Sequence, residues 1–158
     1  MEFREIKKTD DAALAGIIRS NLKANKLDIA GTAYFDEHLD HLSGYYLGDC
    51  SKRYYCIAED GGAVVGGIGL AEIDLFDNCA ELQKLYLADG VKGHGFSYAL
   101  INKIEEKARS LGYRQMYLET HSNLAVAIHL YKKCGYQEIA RPAGVVHSTM
   151  DRFFLKQL

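Results

Sequence analysis

Apolar residues recur every three to four positions in several stretches of the chain, which is the spacing of helices that bury one face. The clearest stretch ends at Leu111 and is followed by Gly112, and a later one ends just before Gly135. A glycine directly after such a run is typical of a helix that ends in the left-handed conformation. Near the N-terminus, Thr9 precedes an apolar run and is expected to cap its helix. The pattern predicts helices over 12–22, 34–42, 95–111 and 123–134.

Shorter runs rich in β-branched and aromatic residues lie between these helices and predict strands. Asp60, Gly61 and Gly62 separate two of the runs and supply the residues of a hairpin turn. The run that follows this turn contains three internal glycines, which are typical of a place where another backbone comes close. The predicted strands span 3–7, 54–58, 64–73, 79–87, 113–119, 136–140 and 149–155.

The element order is therefore β-α-α-β-β-β-α-β-α-β-β, which predicts an α/β fold with a mixed sheet covered by helices on its faces. A chain of 158 residues is long enough for one buried core and short for two ordinary domains. We expect a single domain over 1–158.

The strand CAELQKLYL, residues 79–87, has a flaw in its alternation of apolar and polar positions. Leu82 points to one face of the sheet, whereas Leu85 and Leu87 point to the other unless an extra residue is inserted between them. A β-bulge near Lys84 brings the three leucines to one face. Because bulges leave ladder groups unpaired and often lie beside functional sites, this strand is a candidate for the edge of such a site.

Composition and charge argue against a nucleic-acid-binding or membrane protein. The chain has 19 Lys and Arg against 21 Asp and Glu, so its net charge of −2 provides no overall basic field for nucleic acid or an anionic membrane. The first eleven residues, MEFREIKKTDD, contain no continuous apolar run and resemble neither a signal peptide nor a transmembrane helix. We expect a cytoplasmic protein that binds neither nucleic acid nor membrane.

Cysteine and histidine spacing indicates neither a disulfide framework nor a metal centre. The four cysteines, Cys50, Cys56, Cys79 and Cys134, form no CxxC pair, so reduced, partly buried thiols are expected. The six histidines and four cysteines never approach the ligand spacing of a zinc site, and no metal is expected.

The segment KGHGFS, Lys92 to Ser97, joins a predicted strand to the clearest predicted helix. Gly93 and Gly95 allow the backbone to come close to a ligand, and the helix N-terminus behind them offers unpaired N–H groups to an anion. The turn could cradle a pyrophosphate, although such turns also serve merely as connections. It lacks the spacing of a P-loop and of the dinucleotide fingerprint, which makes ATP and NAD poor candidates.

From this loop onward the chain resembles the GNAT superfamily of acetyl-CoA-dependent N-acetyltransferases. The resemblance covers about residues 80–139, through the phrases LETHSN and AIHLYKKCGY. The loop signature of that superfamily, Q/R-x-x-G-x-G/A, falls on Lys92, Gly95 and Ser97, where lysine replaces Gln or Arg and serine replaces Gly or Ala. A lysine meets a phosphate as a point charge but lacks a bidentate fork, so some cofactor affinity is expected to be lost.

The resemblance implies a GNAT-like fold with a splayed central sheet and acetyl-CoA, as cosubstrate, in the gap between strands 79–87 and 114–120. Backbone groups of Tyr86 and Leu87 then pair with the pantetheine amides, and the Leu87 N–H polarises the thioester carbonyl. Asn123 is expected on the pantetheine arm, although a helix N-cap suits it equally well. The loop residues implied to hold the cofactor are Lys92, Gly93, His94, Gly95, Phe96 and Ser97, with His94 contributing only its backbone.

The same resemblance implies the catalytic groups. Glu81 falls where some members carry the general base that deprotonates the amine, with Glu119 as a rival and a solvated surface role as the alternative. Tyr131 matches the tyrosine that protonates the leaving thiolate, whereas its helical spacing also suits a core residue. His121 and His147 are histidines that could touch the acceptor, although exposed structural roles suit them as well.

The acceptor is expected to be a primary amine, with a small molecule favoured over a protein. In this superfamily the first two helices and the last hairpin shape the acceptor pocket, here about 22–47 and 141–150. The first of these segments is both aromatic and acidic, which suits a cationic amine, although aromatic core packing explains its tyrosines too. The residues concerned are Tyr34, Phe35, Tyr45 and Tyr46, with Asp36, Glu37 and Asp40.

Two other functional hypotheses are alternatives to an acetyltransferase. A non-catalytic acyl-CoA-binding regulatory module would keep the loop and dispense with Glu81 and Tyr131, both of which are present. A purely structural α/β interaction domain would need only an ordinary turn at 92–97. Homodimers are common on the implied fold, and the residues do not decide between monomer and homodimer.

Overall fold

Seven strands form one sheet in the computed structural model, which describes residues 1–145 and 148–158. Their spatial order is β1-β2-β3-β4-β5-β7-β6, and every neighbouring pair is antiparallel except β4 with β5. The predicted strands are all present, β4 with the predicted ends and the others with shifted ends. They are β1 (Glu2–Glu5), β2 (Arg53–Asp60), β3 (Ala63–Ile73), β4 (Cys79–Leu87), β5 (Gln115–Thr120), β6 (Gln137–Ile139) and β7 (Arg152–Gln157).

Four α-helices complete the predicted element order in the described part of the chain: α1 (Asp11–Ala24), α2 (Leu42–Leu47), α3 (Phe96–Ser110) and α4 (Ala125–Lys133). The predicted glycine ends are confirmed, since Gly112 after α3 and Gly135 after α4 have φ angles of 91° and 87°. The expectation that Thr9 caps α1 is wrong. Thr9 lies in a 3₁₀ turn, Lys8–Asp10, whose last residue occupies the cap position of α1.

The helix predicted over 34–42 is also wrong in its bounds. That stretch contains two 3₁₀ turns, Ala33–Phe35 and Leu39–His41, and α2 begins only at Leu42. Thr32 accepts a hydrogen bond from the Tyr34 N–H at 3.3 Å, and Asp36 accepts one from the His38 N–H at 2.9 Å. Such local side-chain bonds compete with continuous helix, which explains why an apolar period did not produce one.

Strand β2 illustrates how the sheet separates two core layers. Tyr55 and Ile57 are buried on one face against α1 and α2, whereas Cys56 and Ala58 are buried on the other face in the cluster that includes α3 and α4. Alternation along an extended strand sends successive side chains to opposite faces. The helices therefore cover both faces of the sheet, as the element order predicted.

The predicted bulge in β4 is confirmed. Gln83 is opposite Gly69 and Tyr86 is opposite Gly67, so two residues of β4 face one residue of β3 at this point. Lys84, in the bulge, has a φ of 49°. The extra residue returns the strand to its previous face, and all three leucines at 82, 85 and 87 pack in one core cluster.

The glycines of β3 have different neighbours. A Cβ on Gly66 would meet the carbonyl oxygen of Tyr86, which is the close backbone approach expected from the sequence. A Cβ on Gly69 would instead lie 2.6 Å from the hydroxyl oxygen of Tyr46. The absence of a side chain at Gly69 thus makes room for an aromatic side chain from α2.

Strands β4 and β5 diverge soon after they meet. Their parallel pairing joins only Cys79, Ala80 and Glu81 to residues 115–117. Beyond Glu81 the bulged half of β4 has β3 on one side and, in the part of the chain that the structure describes, no strand on the other. The predicted splay is therefore present, and a cleft opens at the centre of the sheet.

All four cysteines are free thiols, as expected, and Cys56 and Cys79 are buried. Burial raises the pKa of each of these two thiols to about 11, which makes them poor nucleophiles at neutral pH. Over residues 1–145 and 148–158, no helix combines the length and apolar character needed to cross a bilayer.

Candidate functional site

A cavity of about 560 Å³ occupies the cleft between the diverging strands β4 and β5. It is lined by most of the residues that the sequence singled out. They are Glu81, Tyr86, Leu87, Lys92, Gly93, Ser97, Glu119, Asn123 and Tyr131. His94, Gly95, Phe96 and His121 are not among its described lining residues, and His147 lies outside the described residues.

Glu81 is the last residue of β4 that pairs with β5, so its side chain lies where the cleft begins. Its Oε2 accepts a hydrogen bond from the Gln83 amide at 2.7 Å. Burial raises the pKa of the Glu81 carboxyl, the Gln83 hydrogen bond opposes that effect, and the charge of Glu119 adds to it. The net result is a carboxyl that binds its proton more tightly than an exposed glutamate does.

Glu119 is in β5 and lines the same cavity. Its carboxylate accepts hydrogen bonds from the Tyr117 hydroxyl at 3.0 Å and from the Ser148 hydroxyl at 2.9 Å. Among the described residues no lysine or arginine forms an ion pair with Glu81 or Glu119. Two carboxylates held by neutral donors therefore face one cleft.

Tyr131 is in α4, and only 6% of the residue is exposed. Its ring packs on those of Tyr136 and Phe154, with centroids 6.0 and 6.2 Å away, while the residue also lines the cavity. No described residue forms a hydrogen bond with its hydroxyl group. Burial raises the pKa of Tyr131 well above the ordinary value, so the hydroxyl remains protonated at neutral pH. The core role and a position at the cavity coexist in this residue.

Beyond the bulge, alternate backbone groups of β4 face the cleft and the others face β3. The Ala88 N–H donates to the Val65 carbonyl oxygen of β3 at 2.8 Å. Because successive amides along a strand alternate in direction, the Leu87 N–H points to the other side, from which β5 has diverged. The Leu87 carbonyl on that side accepts a hydrogen bond from the Asn21 side chain of α1 at 3.0 Å.

Sequence reasoning missed Asn21, although a signal for it exists. Asn21 lies three and four positions after Ile18 and Ile17, which places a polar amide on the apolar face of α1. Such a residue needs a buried hydrogen-bond partner. Which partner it finds, the Leu87 carbonyl 66 residues away, depends on the tertiary structure.

The loop at 92–97, which we call the anion cradle because of its unpaired backbone N–H groups, borders the cavity through Lys92, Gly93 and Ser97. Gly93 and Gly95 both have a φ of 80°, and Gly95 is the N-cap of α3. Within the described structure the backbone N–H groups of residues 93–97 donate to no carbonyl, and the first intrahelical bond runs from Tyr98 to Gly95 at 3.1 Å. A row of unpaired N–H groups at the start of a 15-residue helix favours an anionic group.

The side chains of Lys92 and His94 are engaged by neighbouring residues of this segment. The His94 ring contacts the Lys92 carbonyl oxygen at 2.9 Å and stacks on Phe96 with centroids 6.0 Å apart. The Lys92 ammonium pairs with Asp89 at 2.6 Å, and both side chains are exposed. The contribution of this segment to the cradle is therefore mainly its backbone.

The alternative role of Asn123 as a helix N-cap is wrong. Leu124 occupies that position in α4 without a side-chain cap bond, and the Asn123 amide donates to the Asn25 carbonyl at 3.0 Å. His121 accepts a hydrogen bond from the Asn123 N–H at 3.1 Å. Asn123 thus ties the segment after β5 to the segment after α1 across the cavity.

A second, shallower cavity of about 700 Å³ adjoins the first and shares Gly31, Glu81, Glu119 and Ser148 with it. Its other described lining residues are Ile73, Asp74, Leu75, Gly144 and Val145, with no lysine or arginine among them. The two cavities meet at the two glutamates.

The acidic residues expected at the acceptor pocket, Asp36, Glu37 and Asp40, line neither described cavity. Asp36 pairs with Lys84 at 2.8 Å, and Asp40 pairs with Arg19 at 2.7 Å. Burial raises the pKa of Asp36, but its ion pair outweighs that effect, and the ion pair of Asp40 lowers the pKa of that carboxyl too. Both carboxylates thus remain charged, and a neighbouring cation offsets each charge. The acidic groups at the second cavity are instead Asp74 and the two shared glutamates.

The sequence of this chain is similar to those of known acetyltransferases. The sequence model of the acetyltransferase (GNAT) family matches residues 23–136. The uncharacterized N-acetyltransferase YjgM of Escherichia coli (strain K12) is 33% identical over 148 residues, covering 90% of this chain and 85% of that protein. Spermidine N(1)-acetyltransferase of Vibrio cholerae is 30% identical over 105 residues, covering 66% of this chain and 60% of that protein.

A solved structure shares the fold. PaiA N-acetyltransferase from Thermoplasma acidophilum, in complex with coenzyme A, matches with a TM-score of 0.79 at 19% sequence identity. The match covers 99% of this chain and 98% of that one. At this level of identity the likeness is one of fold.

Proposed function

Because this chain belongs to the GNAT acetyltransferase family, we propose that it transfers the acetyl group of acetyl-CoA to the primary amine of a small molecule. The observation that carries the proposal is the cleft between β4 and β5. It has a backbone anion cradle at one end and two carboxylates at the other, and a buried tyrosine lies along its wall.

The cofactor lies along the unpaired side of β4 in this proposal. Its pyrophosphate accepts hydrogen bonds from the N–H groups of 93–97, where the helix dipole favours negative charge. Its pantetheine amides pair with the backbone of β4 at Leu87 in place of a strand partner, whereas the backbone groups of Tyr86 are directed to Gly67 of β3. The Leu87 N–H then donates to the thioester carbonyl oxygen and stabilises the negative charge that develops there. Coenzyme A in the PaiA structure supports this class of ligand on the fold.

Glu81 acts as the general base. An alkylamine is mostly protonated at neutral pH and must lose a proton before its nitrogen attacks, so a carboxylate near the thioester is required. The raised pKa of Glu81 brings its basicity closer to the working pH than that of an exposed glutamate. This proton moves from the ammonium group to Glu81, directly or through one water, before the freed nitrogen lone pair forms the C–N bond.

Tyr131 acts as the general acid. Collapse of the tetrahedral intermediate breaks the C–S bond and releases a thiolate, whose conjugate thiol has a pKa of about 8.5. The Tyr131 hydroxyl, kept protonated by burial and bound by no described residue, donates its proton to that sulfur. The products are the N-acetylated amine and free CoA.

The acceptor enters from the second cavity. Asp74, Glu81 and Glu119 line it, and its described lining includes no basic side chain, which favours a cationic amine over an acidic one. A relative is named as a spermidine acetyltransferase, which supports a small-molecule amine as the substrate class. The cavity of about 700 Å³ also has room for a compact acceptor.

The test is calorimetric titration with acetyl-CoA, followed by measurement of free thiol across a panel of mono-, di- and polyamines, amino acids and peptides. Binding of acetyl-CoA with thiol release for one small amine supports the proposal. Binding without turnover for every amine would favour a regulatory acyl-CoA-binding module. Turnover of peptides alone would assign a protein substrate, and failure to bind acetyl-CoA would remove the proposal altogether.

The anion cradle leads to a prediction about Gly95. Gly95→Ala places a side chain at a φ of 80°, which costs about 1–2 kcal/mol and displaces the N–H groups that face the pyrophosphate. We expect the Kd for acetyl-CoA to rise roughly tenfold, the factor that corresponds to about 1.4 kcal/mol. Isothermal titration measures this effect directly.

Gly112→Ala is the matched control. Gly112 has a φ of 91° at the other end of α3, and a Cβ at either glycine meets no atom within 4 Å. Both variants should lose comparable thermal stability, whereas only Gly95→Ala should lose acetyl-CoA affinity. An equal change of Kd in the two variants would rule out the cradle as the pyrophosphate site.

A further inference from the structure

A chain of two hydrogen bonds connects the core of the protein to Glu81. The Tyr46 hydroxyl of α2 donates to Gln83 Oε1 at 2.9 Å, and Gln83 Nε2 donates to Glu81 Oε2 at 2.7 Å. Glu81 and Gln83 are two positions apart on β4, so their side chains share one face of the sheet. The chain ends at the carboxylate that the proposed reaction uses.

The donor-to-acceptor direction of these two hydrogen bonds matches an ionised Glu81. A carboxylate accepts hydrogen bonds only, so Gln83 must turn its NH₂ group towards Glu81 and its oxygen towards Tyr46. Tyr46 is 1% exposed, and burial raises the pKa of its hydroxyl, which keeps the hydroxyl protonated and able to donate. Every member of the chain is satisfied when Glu81 is negative. When Glu81 is protonated on its other oxygen, Oε2 still accepts from the Gln83 amide, but as a neutral oxygen in a weaker hydrogen bond.

The position of Tyr46 is itself constrained. Its ring packs on those of Tyr45 and Tyr55, with centroids 4.9 Å away in each case. The missing side chain of Gly69, the β3 residue opposite Gln83, leaves the space that the Tyr46 hydroxyl occupies. A rigidly held hydroxyl holds the Gln83 amide in one orientation at little cost in conformational entropy.

Other charged and titratable groups near Glu81 act without a hydrogen bond to it. Glu119 and Tyr117 face it from β5, Cys79 and Lys84 lie on its own strand, and Tyr46 approaches from α2. Lys84 is engaged by Asp36 at 2.8 Å. Within the described residues, Gln83 is thus the hydrogen-bond donor to the Glu81 carboxylate.

We propose that Gln83 is a positioning residue, oriented by Tyr46, that holds the Glu81 carboxylate towards the cleft and favours its ionised form against the effect of burial. This inference rests on the proposed function, in which Glu81 is the general base. Neither residue touches the reacting atoms, and both act through Glu81.

Two variants test the proposal, with one matched control. Gln83→Met removes the amide and keeps the length of the side chain, and Tyr46→Phe removes only the buried hydroxyl. Tyr55→Phe removes a hydroxyl that is equally buried and donates to the Lys84 carbonyl at 2.8 Å, without a hydrogen bond to Gln83 or Glu81. Thermal melts first establish that each variant is folded.

The first readout is the pKa of the Glu81 carboxyl, measured by carbon-13 NMR on the protein without substrate. Gln83→Met and Tyr46→Phe are expected to raise it, Gln83→Met by more, and Tyr55→Phe to leave it unchanged. An unchanged pKa in both test variants, or an equal rise in the control, overturns the proposal. This readout does not require the protein to be active.

The second readout is the pH profile of kcat/KM for acetyl transfer. The acid limb should move to higher pH in the two test variants, so that the rate at a pH below the limb falls on the order of tenfold. A raised pKa of Glu81 with an unmoved acid limb would uphold the positioning role and refute Glu81 as the base. The failure of the inference and the failure of the proposed function are therefore separate results.

Discussion

Glu81→Gln is expected to lower kcat for acetyl transfer by a factor of about 10² to 10⁴, the usual contribution of a positioned general base. The amide keeps the size of the side chain and can still accept the hydrogen bond from Gln83, but it cannot take a proton from the amine. Steady-state kinetics with the amine identified by the thiol assay measure the loss. The Kd for acetyl-CoA should stay close to that of the parent protein, because the anion cradle lies at the other end of the cleft.

Glu119→Gln is the matched control for this result, since Glu119 lines the same cavity and is also held by neutral donors. A small loss in Glu119→Gln beside a large loss in Glu81→Gln is the expected outcome. The reverse pattern would transfer the role of base to Glu119.

The stability of Glu81→Gln should depend on pH in a way that follows from the raised pKa of Glu81. Because folding raises this pKa, the ionised carboxylate opposes folding at pH values above it. The variant is therefore expected to melt at a higher temperature than the parent protein at pH 8. The difference should disappear as the pH falls towards about 4.3, the pKa of an unperturbed glutamate. Thermal melts across this range test the sign, and a lower melting temperature of the variant at pH 8 would contradict it.

Tyr131→Phe is expected to lower kcat by roughly 10², at the lower end of the range for general acid–base groups, because a thiolate is a tolerable leaving group without full protonation. The phenylalanine keeps the ring contacts with Tyr136 and Phe154, so the melting temperature should change little. Kinetics at saturating acetyl-CoA measure the effect on kcat, and titration shows whether the affinity for acetyl-CoA is retained.

Tyr136→Phe provides the comparison for Tyr131→Phe. Its buried hydroxyl has no hydrogen-bond partner among the described residues, and Tyr136 does not belong to the described lining of the cleft. It should leave kcat within about twofold of the parent protein. If Tyr131→Phe also stays within that margin, Tyr131 is a core residue and the proton for the thiolate comes from elsewhere.

Local sequence patterns were sufficient to predict several helix ends and the bulge in β4. The ends of α3 and α4 follow from glycines that adopt the left-handed conformation directly after an apolar run. The bulge at Lys84 follows from three leucines that reach one face only if a residue is inserted. Both inferences need no information from distant parts of the chain, because they depend on backbone geometry within a few residues.

Prediction from local sequence patterns failed where a polar side chain forms a hydrogen bond or an ion pair that apolar periodicity does not reveal. The apolar period of 34–42 predicted a helix, but Thr32 and Asp36 bind nearby backbone N–H groups and divide the stretch into turns. Asp36 and Asp40 supplied apparent acidity for an acceptor, but Lys84 and Arg19 neutralise them from other elements. The acidic cavity is formed elsewhere, with Asp74 beside the two glutamates.

The sequence by itself determined the element order, the splayed sheet and most of the predicted site residues at the cleft, because apolar periodicity, glycine positions and the resemblance to one superfamily are all properties of residue order along the chain. Only the tertiary structure decided how those residues are oriented. Tyr46 reaches Gln83 across 37 residues, and Asn21 reaches Leu87 across 66. Buried hydrogen bonds of this kind depend on which polar groups packing brings within about 3 Å of each other, and that is a property of the folded chain.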